Sequence, residues 1–225
     1  MPPDTANSVA AGITTIALLT SIAFLAAVRR FIPSRFAMMT AVTLAWLGLW
    51  AALASSGMLA RFDQRPAPLL WMFASCLLAG VGLGISPVGR ILADTVPLWA
   101  LVLFQSFRLP LELCMADAAQ LGLMPVEMSI EGYNFDFLTG AIALPLAWAL
   151  WLGAPVWLAR WWSWFGVLLL NVIAGLAVAS SPMLQAFGPD HVNSWVAYFP
   201  YVWLPTVLVV FAIAGHIIVF RSLAR

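Results

Sequence analysis

Long apolar stretches alternate with short segments rich in charges, prolines and glycines along the whole chain. A helix needs about 20 residues to cross the hydrocarbon core of a bilayer, and seven stretches reach roughly that length. The predicted spans are residues 8–28, 36–58, 68–88, 95–117, 136–157, 162–180 and 202–220. The pattern predicts an all-α integral membrane bundle of seven transmembrane helices, in which residues 1–225 form a single transmembrane helical domain.

The amino-acid composition agrees with a membrane protein and excludes several classes of function. Hydrophobic residues make up 64% of the chain and charged residues 8%, against about 45–50% and about 25% in soluble domains. The ten basic residues are all arginines, and nine acids nearly balance them, so no basic surface for nucleic acid is expected. Without lysine, neither a retinal Schiff base nor an ordinary P-loop can form. The partner expected is the lipid bilayer, and no cofactor is expected.

The distribution of arginine predicts the orientation of the bundle. Cytoplasmic loops of membrane proteins carry an excess of positive charge. Only two arginines, Arg61 and Arg65, fall on one predicted side of the membrane. Seven fall on the other side: Arg29, Arg30, Arg35, Arg90, Arg160, Arg221 and Arg225. The N-terminus is therefore predicted outside and the C-terminus inside.

The fourth predicted span is the one apolar stretch that carries several charged or strongly polar residues. Gln105, Arg108 and Glu112 are separated by three and four positions, so a regular helix places them on one face. Charges inside a membrane are costly, which makes such residues candidates for function. The stripe either faces a polar cavity, with Arg108 as a fixed cation and Glu112 as its titrating partner, or forms a structural ion pair within the helix. Pro110 predicts a kink between the two charges.

The loop after the fourth span is the second candidate region. It contains Glu127, Glu131 and Asp136, and arginine is absent from it. A solvated acidic loop is one explanation. Its turn-forming and apolar residues suggest another, a re-entrant loop that folds into the bundle and brings carboxylates beside Arg108. Asn134 is expected to cap the fifth span by accepting backbone N–H bonds, and Asp136 is expected to gain from the positive end of that helix.

A distinctive combination of residues covers the end of the fourth span and this loop. It consists of FRLPLE at residues 107–112, Gly122, Pro125, Met128, EGYNFD at residues 131–136, and Gly140. The combination resembles a pattern of bacterial multi-pass membrane proteins of uncharacterised activity, and it covers 34 of the 225 residues. The resemblance implies a bacterial cytoplasmic (inner) membrane protein and no particular mechanism. It favours the fourth span and the following loop as the site.

The two histidines are weaker candidates. His191, next to Asp190 in a predicted external segment, is either a solvated loop residue or half of a proton-transfer pair, because imidazole titrates near neutral pH. His216 in the last span is expected to form hydrogen bonds between helices. They are 25 residues apart, and the sequence has neither HExxH nor CxxC, so no metal site is expected.

Three hypotheses of function remain open. The first is a protein that binds or translocates a small polar solute, an ion or a proton. Its site would be centred on the fourth span and the following loop, with Gln105, Arg108, Glu112, Glu127, Glu131, Asn134, Asp136 and His191 as candidate residues. The second is a membrane enzyme acting on a lipid or lipoprotein at the outer leaflet, with these acids and His191 as general acid or base. The third is a non-catalytic assembly subunit, and a homo-oligomer is compatible with each.

These hypotheses predict different surroundings for the charged residues of the fourth span. A water-filled cavity that reaches Arg108 from outside would favour the binding or transport hypothesis. A lateral gap between helices, lined by apolar residues, would favour the lipid enzyme. A sealed ion pair would favour the assembly subunit, because buried ion pairs also occur where nothing binds.

Overall fold

The computed structural model describes residues 8–224, of which the regular structure is entirely helical, with 76% helix and no strand. The α-helices are α1 (Ser8–Phe31), α2 (Phe36–Ser55), α3 (Pro68–Ile85), α4 (Pro87–Thr95), α5 (Leu98–Phe104), α6 (Arg108–Gln120), α7 (Phe137–Trp151), α8 (Trp157–Ala179) and α9 (Val210–Ser222). Most of the predicted spans therefore correspond to one long helix each.

Six helical segments within residues 8–224 are long and apolar enough to cross a bilayer, which confirms the helical membrane bundle. They are Ser8–Phe31, Pro33–Ser55, Pro68–Ile85, Leu98–Gln120, Trp157–Ala179 and Leu204–Ser222. The remaining predicted span, residues 136–157, contains the shorter apolar helix α7 of 15 residues. This helix stops early because Gly153 adopts a left-handed backbone angle, with φ of 94°, and Pro155 follows it. Both features end a helix.

The last helical segment forms the centre of the bundle. A π-helical stretch, Leu204–Val209, runs directly into α9. The combined segment is the most buried of the six candidate spans, and α9 packs against α3, α4, α5 and α8. The contact with α3 is close because Gly80 lacks a side chain: an added Cβ there would lie 2.8 Å from the Cβ of Ile213. Small residues commonly allow such approaches between membrane helices.

The fourth predicted span is not one continuous helix. It consists of α5, a 3₁₀ turn at Gln105–Phe107, and α6. Pro110 lies in the first turn of α6, where the missing backbone N–H has no helical partner to lose. Instead of a kink at this proline, the 3₁₀ turn interrupts the α-helical hydrogen-bond pattern before it, and we call this interruption the break. The break places Arg108 at the start of a new helix.

Arginine side chains bond the backbone at one end of the bundle, and two long loop segments lie at the other end. At one end, Arg221 donates to the backbone carbonyl of Gly84 at 2.6 Å, and Arg160 bonds the C-terminal segment after α9. At the opposite end lie the α6–α7 loop, residues 121–136, and the segment 180–203. We refer to this second end as the loop end. The predicted candidate site lies on the loop-end side of the break in the fourth span.

Candidate functional site

A buried ion pair joins the starts of α6 and α7. The side chains of Arg108 and Asp136 are 1% and 5% exposed. Arg108 Nε donates to Asp136 Oδ2 at 2.7 Å, and Nη2 donates to Oδ1. Two parallel hydrogen bonds of this kind are the strongest geometry for an arginine–carboxylate pair. The alternative pair within the helix, between Arg108 and Glu112, is not formed among the described residues, because the guanidinium is turned to Asp136.

The close approach of α6 and α7 depends on a glycine. An added Cβ at Gly140 would lie 2.5 Å from the backbone nitrogen of Leu109 and 3.2 Å from the Cβ of Arg108. Side-chain atoms do not normally come so close, so a larger residue would push the two helices apart. Gly140 therefore positions Asp136 against Arg108. It is also the last residue of the combination that the sequence analysis singled out.

Glu112 is held by the α6–α7 loop. Its side chain is 2% exposed and lies one turn beyond Arg108 on α6. Asn134 Nδ2 donates to Glu112 Oε2 at 2.5 Å and to the carbonyl of Met128 at 3.0 Å. Asn134 Oδ1 accepts a hydrogen bond from the backbone N–H of Asp136 at 3.0 Å. Asn134 therefore caps only Asp136, the residue before α7. Its Nδ2 bonds connect the loop to Glu112 on α6 and to Met128 within the loop.

The second half of the α6–α7 loop folds back against the bundle. Ser129 is fully buried, and its carbonyl accepts hydrogen bonds from the backbone N–H groups of Gly132 and Asn134 at 3.0 and 3.2 Å. An added Cβ at Gly132 would lie 2.6 Å from the Cα of Glu127, so this glycine allows the loop to close on itself. The sequence allowed either a solvated acidic loop or a loop that folds into the bundle, and this half of the loop is folded. Glu131, by contrast, is exposed.

His216 extends the cluster and was missed as a site residue. Its Nε2 lies 2.8 Å from Arg108 Nη1, and its Nδ1 lies 2.9 Å from Ser163 Oγ. A guanidinium can only donate, so Nε2 accepts, and the ring proton is on Nδ1, which donates to Ser163. These bonds require a neutral imidazole. The expected hydrogen bonding between helices is confirmed, but no spacing signal connects residues 108 positions apart.

Thr139 and Trp162 enclose the cluster from α7 and α8. Thr139 Oγ1 donates to Asp136 Oδ1 at 3.3 Å, and Trp162 Nε1 donates to the carbonyl of Thr139 at 3.1 Å. The Trp162 and His216 rings lie 5.3 Å apart between centroids. A Cβ at Gly166 would overlap the His216 ring, so this glycine makes room for it. The ion pair is thereby separated from solvent on this side.

Gln105, the first residue of the predicted stripe, is fully buried. Its Nε2 donates to the carbonyl of Phe211 at 3.3 Å, and within the described residues its Oε1 has no hydrogen-bond partner. A Cβ at Gly215 would overlap the Gln105 amide, so the two helices meet closely here. Gln105 therefore ties the 3₁₀ turn to α9.

The remaining predicted residues lie at the surface of the loop end. His191 Nδ1 is 2.8 and 3.0 Å from the two carboxylate oxygens of Glu127. Burial acts to raise the pKa of Glu127, but the hydrogen bonds from His191 and a backbone N–H outweigh it, so the pKa is lowered. The partner of His191 is thus Glu127, not its neighbour Asp190. The Glu131 side chain accepts one long hydrogen bond, of 3.5 Å, from Gln120 Nε2.

The buried cluster contains more acids than bases. Arg108 is always charged, while Asp136 and Glu112 are both carboxyl groups and His216 is neutral by its hydrogen bonds. With both carboxylates ionised, the cluster would carry one excess negative charge in the interior of the bundle. Such a charge is strongly unfavourable there. One further proton or cation would balance this charge, and Glu112 is the carboxyl group that Arg108 does not engage.

A cavity of about 370 Å³ lies against this cluster. Its walls come from α3, α6, α8 and the last helical segment, and Arg108, Glu112 and Asp136 contribute to its lining. Asn193 also lines it, is 1% exposed, and within the described residues has no hydrogen-bond partner for either amide atom. The Asn171 amide and the Cys76 thiol are the other polar groups in the lining, and the rest of the lining is apolar. The cavity therefore combines an apolar body with a few polar groups.

The cavity opens sideways between α3 and α8. Its lining includes exposed residues from both helices, Ala74 and Leu77 on α3 and Ala174 and Val178 on α8. Both helices are among the candidate membrane spans. The opening therefore faces the region that lipid chains would occupy, and the cavity is reached from the side of the bundle.

The site's own groups define its chemistry: a fixed ion pair, a carboxyl group held by one amide, and a neutral imidazole. Within residues 8–224 no three His, Cys, Asp or Glu side chains are grouped so that they could hold a metal ion. Comparisons of the chain with family models, curated proteins and solved structures find no match. Proton exchange and binding of a cationic or hydrogen-bonding group are what this arrangement can support.

Proposed function

We propose that this chain is a multi-pass membrane protein that binds or translocates a small polar solute, an ion or a proton at the buried cluster. Glu112 is the exchanging group. The observation that supports this is the excess of buried acid: two carboxyl groups are buried near a single arginine, and the arginine bonds only one of them, Asp136. Ionisable residues inside membrane proteins commonly mark proton and ion pathways, because their burial is otherwise too costly.

The other members of the cluster have distinct roles in this proposal. Arg108 and Asp136 form a fixed pair that holds α6 to α7 and, because its two charges cancel, leaves Glu112 without a counter-ion of its own. Asn134 orients the Glu112 carboxyl through its amide. His216 fixes the third nitrogen of the guanidinium. Arg108 is therefore a structural counter-ion, and the ligand or proton is exchanged at Glu112 through the adjoining cavity.

We further propose that the protein lies in a bacterial cytoplasmic membrane with the loop end outside. The arginine count of the predicted loops supports this orientation, and the resemblance of residues 107–140 to bacterial membrane proteins supports the location. With this orientation, the Glu127–His191 contact faces the exterior. The buried cluster then lies on the outer side of the break in the fourth span.

Infrared difference spectroscopy tests the exchange at Glu112. The purified protein in lipid nanodiscs is stepped from alkaline to acidic pH, and the carbonyl band of newly protonated carboxyl groups is recorded. We expect a band from a buried acid that is lost in Glu112→Gln and retained in the matched control Glu131→Gln. A band unchanged in Glu112→Gln, in protein that still folds, would contradict the proposal and favour an assembly subunit with a purely structural cluster.

A membrane enzyme acting on lipid is a second candidate, because the cavity is the lateral gap with apolar walls that was expected for such an enzyme, whereas the first proposal rests on the buried acids. In that case Glu112 would serve as general acid or base for a lipid bound in the cavity. Mass spectrometry of nanodisc lipids, before and after incubation with the protein, tests this. Lipid products that form with the wild type and not with Glu112→Gln would support the enzyme.

A further inference from the structure

Two cavities of the bundle with mainly apolar walls differ in their polar groups. A cavity of about 720 Å³ between α1 and α5 has no charged side chain in its lining. The smaller cavity of about 370 Å³ has the acid-rich cluster on one wall and Asn193 on another. An apolar pocket with a few placed polar groups is the usual form of a ligand site. The smaller cavity is therefore the candidate for specific binding.

Asn193 is an independent sign that a ligand enters the smaller cavity. Its backbone N–H is bonded to the carbonyl of Ser180 at 2.7 Å, so its position is fixed. Its side-chain amide, although buried, has no partner for either the nitrogen or the oxygen within the described residues. An unsatisfied buried amide costs about 1–3 kcal/mol for each group. A ligand that both accepts and donates would remove this penalty.

We propose that the smaller cavity binds a lipophilic primary amine with a neighbouring hydroxyl group. The ammonium group lies at the Glu112 carboxylate, and the amine and hydroxyl groups satisfy the oxygen and nitrogen of the Asn193 amide. The hydrocarbon chain follows the apolar walls to the opening between α3 and α8. This inference rests on the proposed function, because it uses Glu112 as the exchanging group.

Binding is a proton transfer that leaves the total charge unchanged. The amine enters from the bilayer in its neutral form, which dissolves in lipid. Glu112 is protonated in the empty site, and its proton passes to the amine nitrogen. The products are an ammonium ion and a carboxylate held as a pair, with no other reactant required. The excess negative charge of the cluster is then balanced by the ligand, which is why an amine suits this site and a fatty acid does not.

Photoaffinity labelling in nanodiscs tests the proposal. The probe is a long-chain 2-aminoalkanol with a diazirine in its alkyl chain, and labelled residues are mapped by mass spectrometry. We expect labels on the cavity faces of α3 and α8, displaced by unlabelled 2-aminoalkanol. A diol and a fatty acid of the same chain length should compete about tenfold less well, because each lacks the ammonium group. This series uses the wild-type protein alone, so it does not depend on the folding of any variant.

Four variants locate the head group. Glu112→Gln should weaken labelling about tenfold or more and Asn193→Ala about threefold to tenfold, as expected for charged and neutral hydrogen bonds. Glu131→Gln should leave it unchanged. Gln64→Ala should also leave it unchanged, because that amide is exposed and lies outside the cavity lining.

Two results would overturn the inference. Labels confined to the α1–α5 cavity, or equal competition by the diol and the fatty acid, would show that only the hydrocarbon chain is recognised. The infrared test separates this failure from failure of the proposed function. Proton exchange at Glu112 without specific labelling would refute the amine and leave the proposed function standing. Loss of both signals would refute both.

Discussion

Replacement of Asp136 by asparagine removes one charge from the buried pair and one of the two oxygens that accept from Arg108. The amide keeps the size of the carboxylate, but its NH2 group faces an arginine N–H. Arg108 is 1% exposed, so its guanidinium cannot turn to water when the partner charge is lost. Removing one member of a buried ion pair costs about 3–5 kcal/mol. The Glu112 carboxyl lies one helical turn away and can supply a replacement charge, so we expect about 3 kcal/mol.

Unfolding in mixed micelles measures this loss. Sodium dodecyl sulfate is titrated into the folded protein, and the fluorescence of its twelve tryptophans is followed. Glu131→Gln is the matched control, because it makes the same change of carboxyl to amide on an exposed side chain. We expect it to change the unfolding free energy by less than about 1 kcal/mol.

A double replacement separates the cost of a lone charge from the cost of losing contacts. Arg108→Met combined with Asp136→Leu exchanges both charges for apolar side chains of similar size. Replacing a whole buried pair is often nearly neutral, so the double variant should be more stable than Asp136→Asn. The reasoning fails if Asp136→Asn stays within about 1 kcal/mol of the wild type, or if the double variant is the less stable of the two.

Two further predictions concern the contact between α6 and α7 and the surface of the loop end. Gly140→Ala places a Cβ 2.5 Å from the nitrogen of Leu109 and should destabilise by about 1–3 kcal/mol in the same titration. Gly175→Ala, where a Cβ meets nothing within 4 Å, should stabilise the protein by up to about 1 kcal/mol because alanine favours a helix, and equal losses in the two variants would refute the close contact. At the loop end, folding lowers the pKa of Glu127. The contact of Glu127 with His191 therefore stabilises the folded protein fully above the ordinary glutamate value of 4.5. This stabilisation is lost as the pH falls through the lower folded value. Hydrogen exchange of the α6–α7 loop, corrected for intrinsic rates, should accelerate over that range in the wild type; an equal acceleration in Glu127→Gln would assign it to another group.

The candidate site was predictable as far as its signals are local. Arg108 and Glu112 stand out because charges within an apolar stretch are visible in the sequence without any fold. Asn134 and Asp136 were candidates because the loop holds acids among turn-forming and apolar residues. Which of them would meet was not predictable. The helical spacing favours an ion pair between Arg108 and Glu112. The break before α6 and the close approach of α6 and α7 at Gly140 instead place Arg108 against Asp136.

His216 and Asn193 show the limit of sequence reasoning most clearly. The role of each depends on neighbours far along the chain. His216 meets Arg108 across 108 positions because Gly166 leaves room for its ring. Asn193 is significant only because the fold buries its amide beside a cavity and offers it no partner.

The membrane character and most helix positions follow from the order of residues alone, because hydrophobicity adds up along each stretch and needs no knowledge of its neighbours. The end of α7 at Gly153, the break before Arg108, the pairing of the buried charges and the sideways cavity are properties of the folded bundle. They depend on how closely helices approach one another. That distance is set by contacts between residues far apart in the chain, such as Gly140 with Leu109 and Gly80 with Ile213.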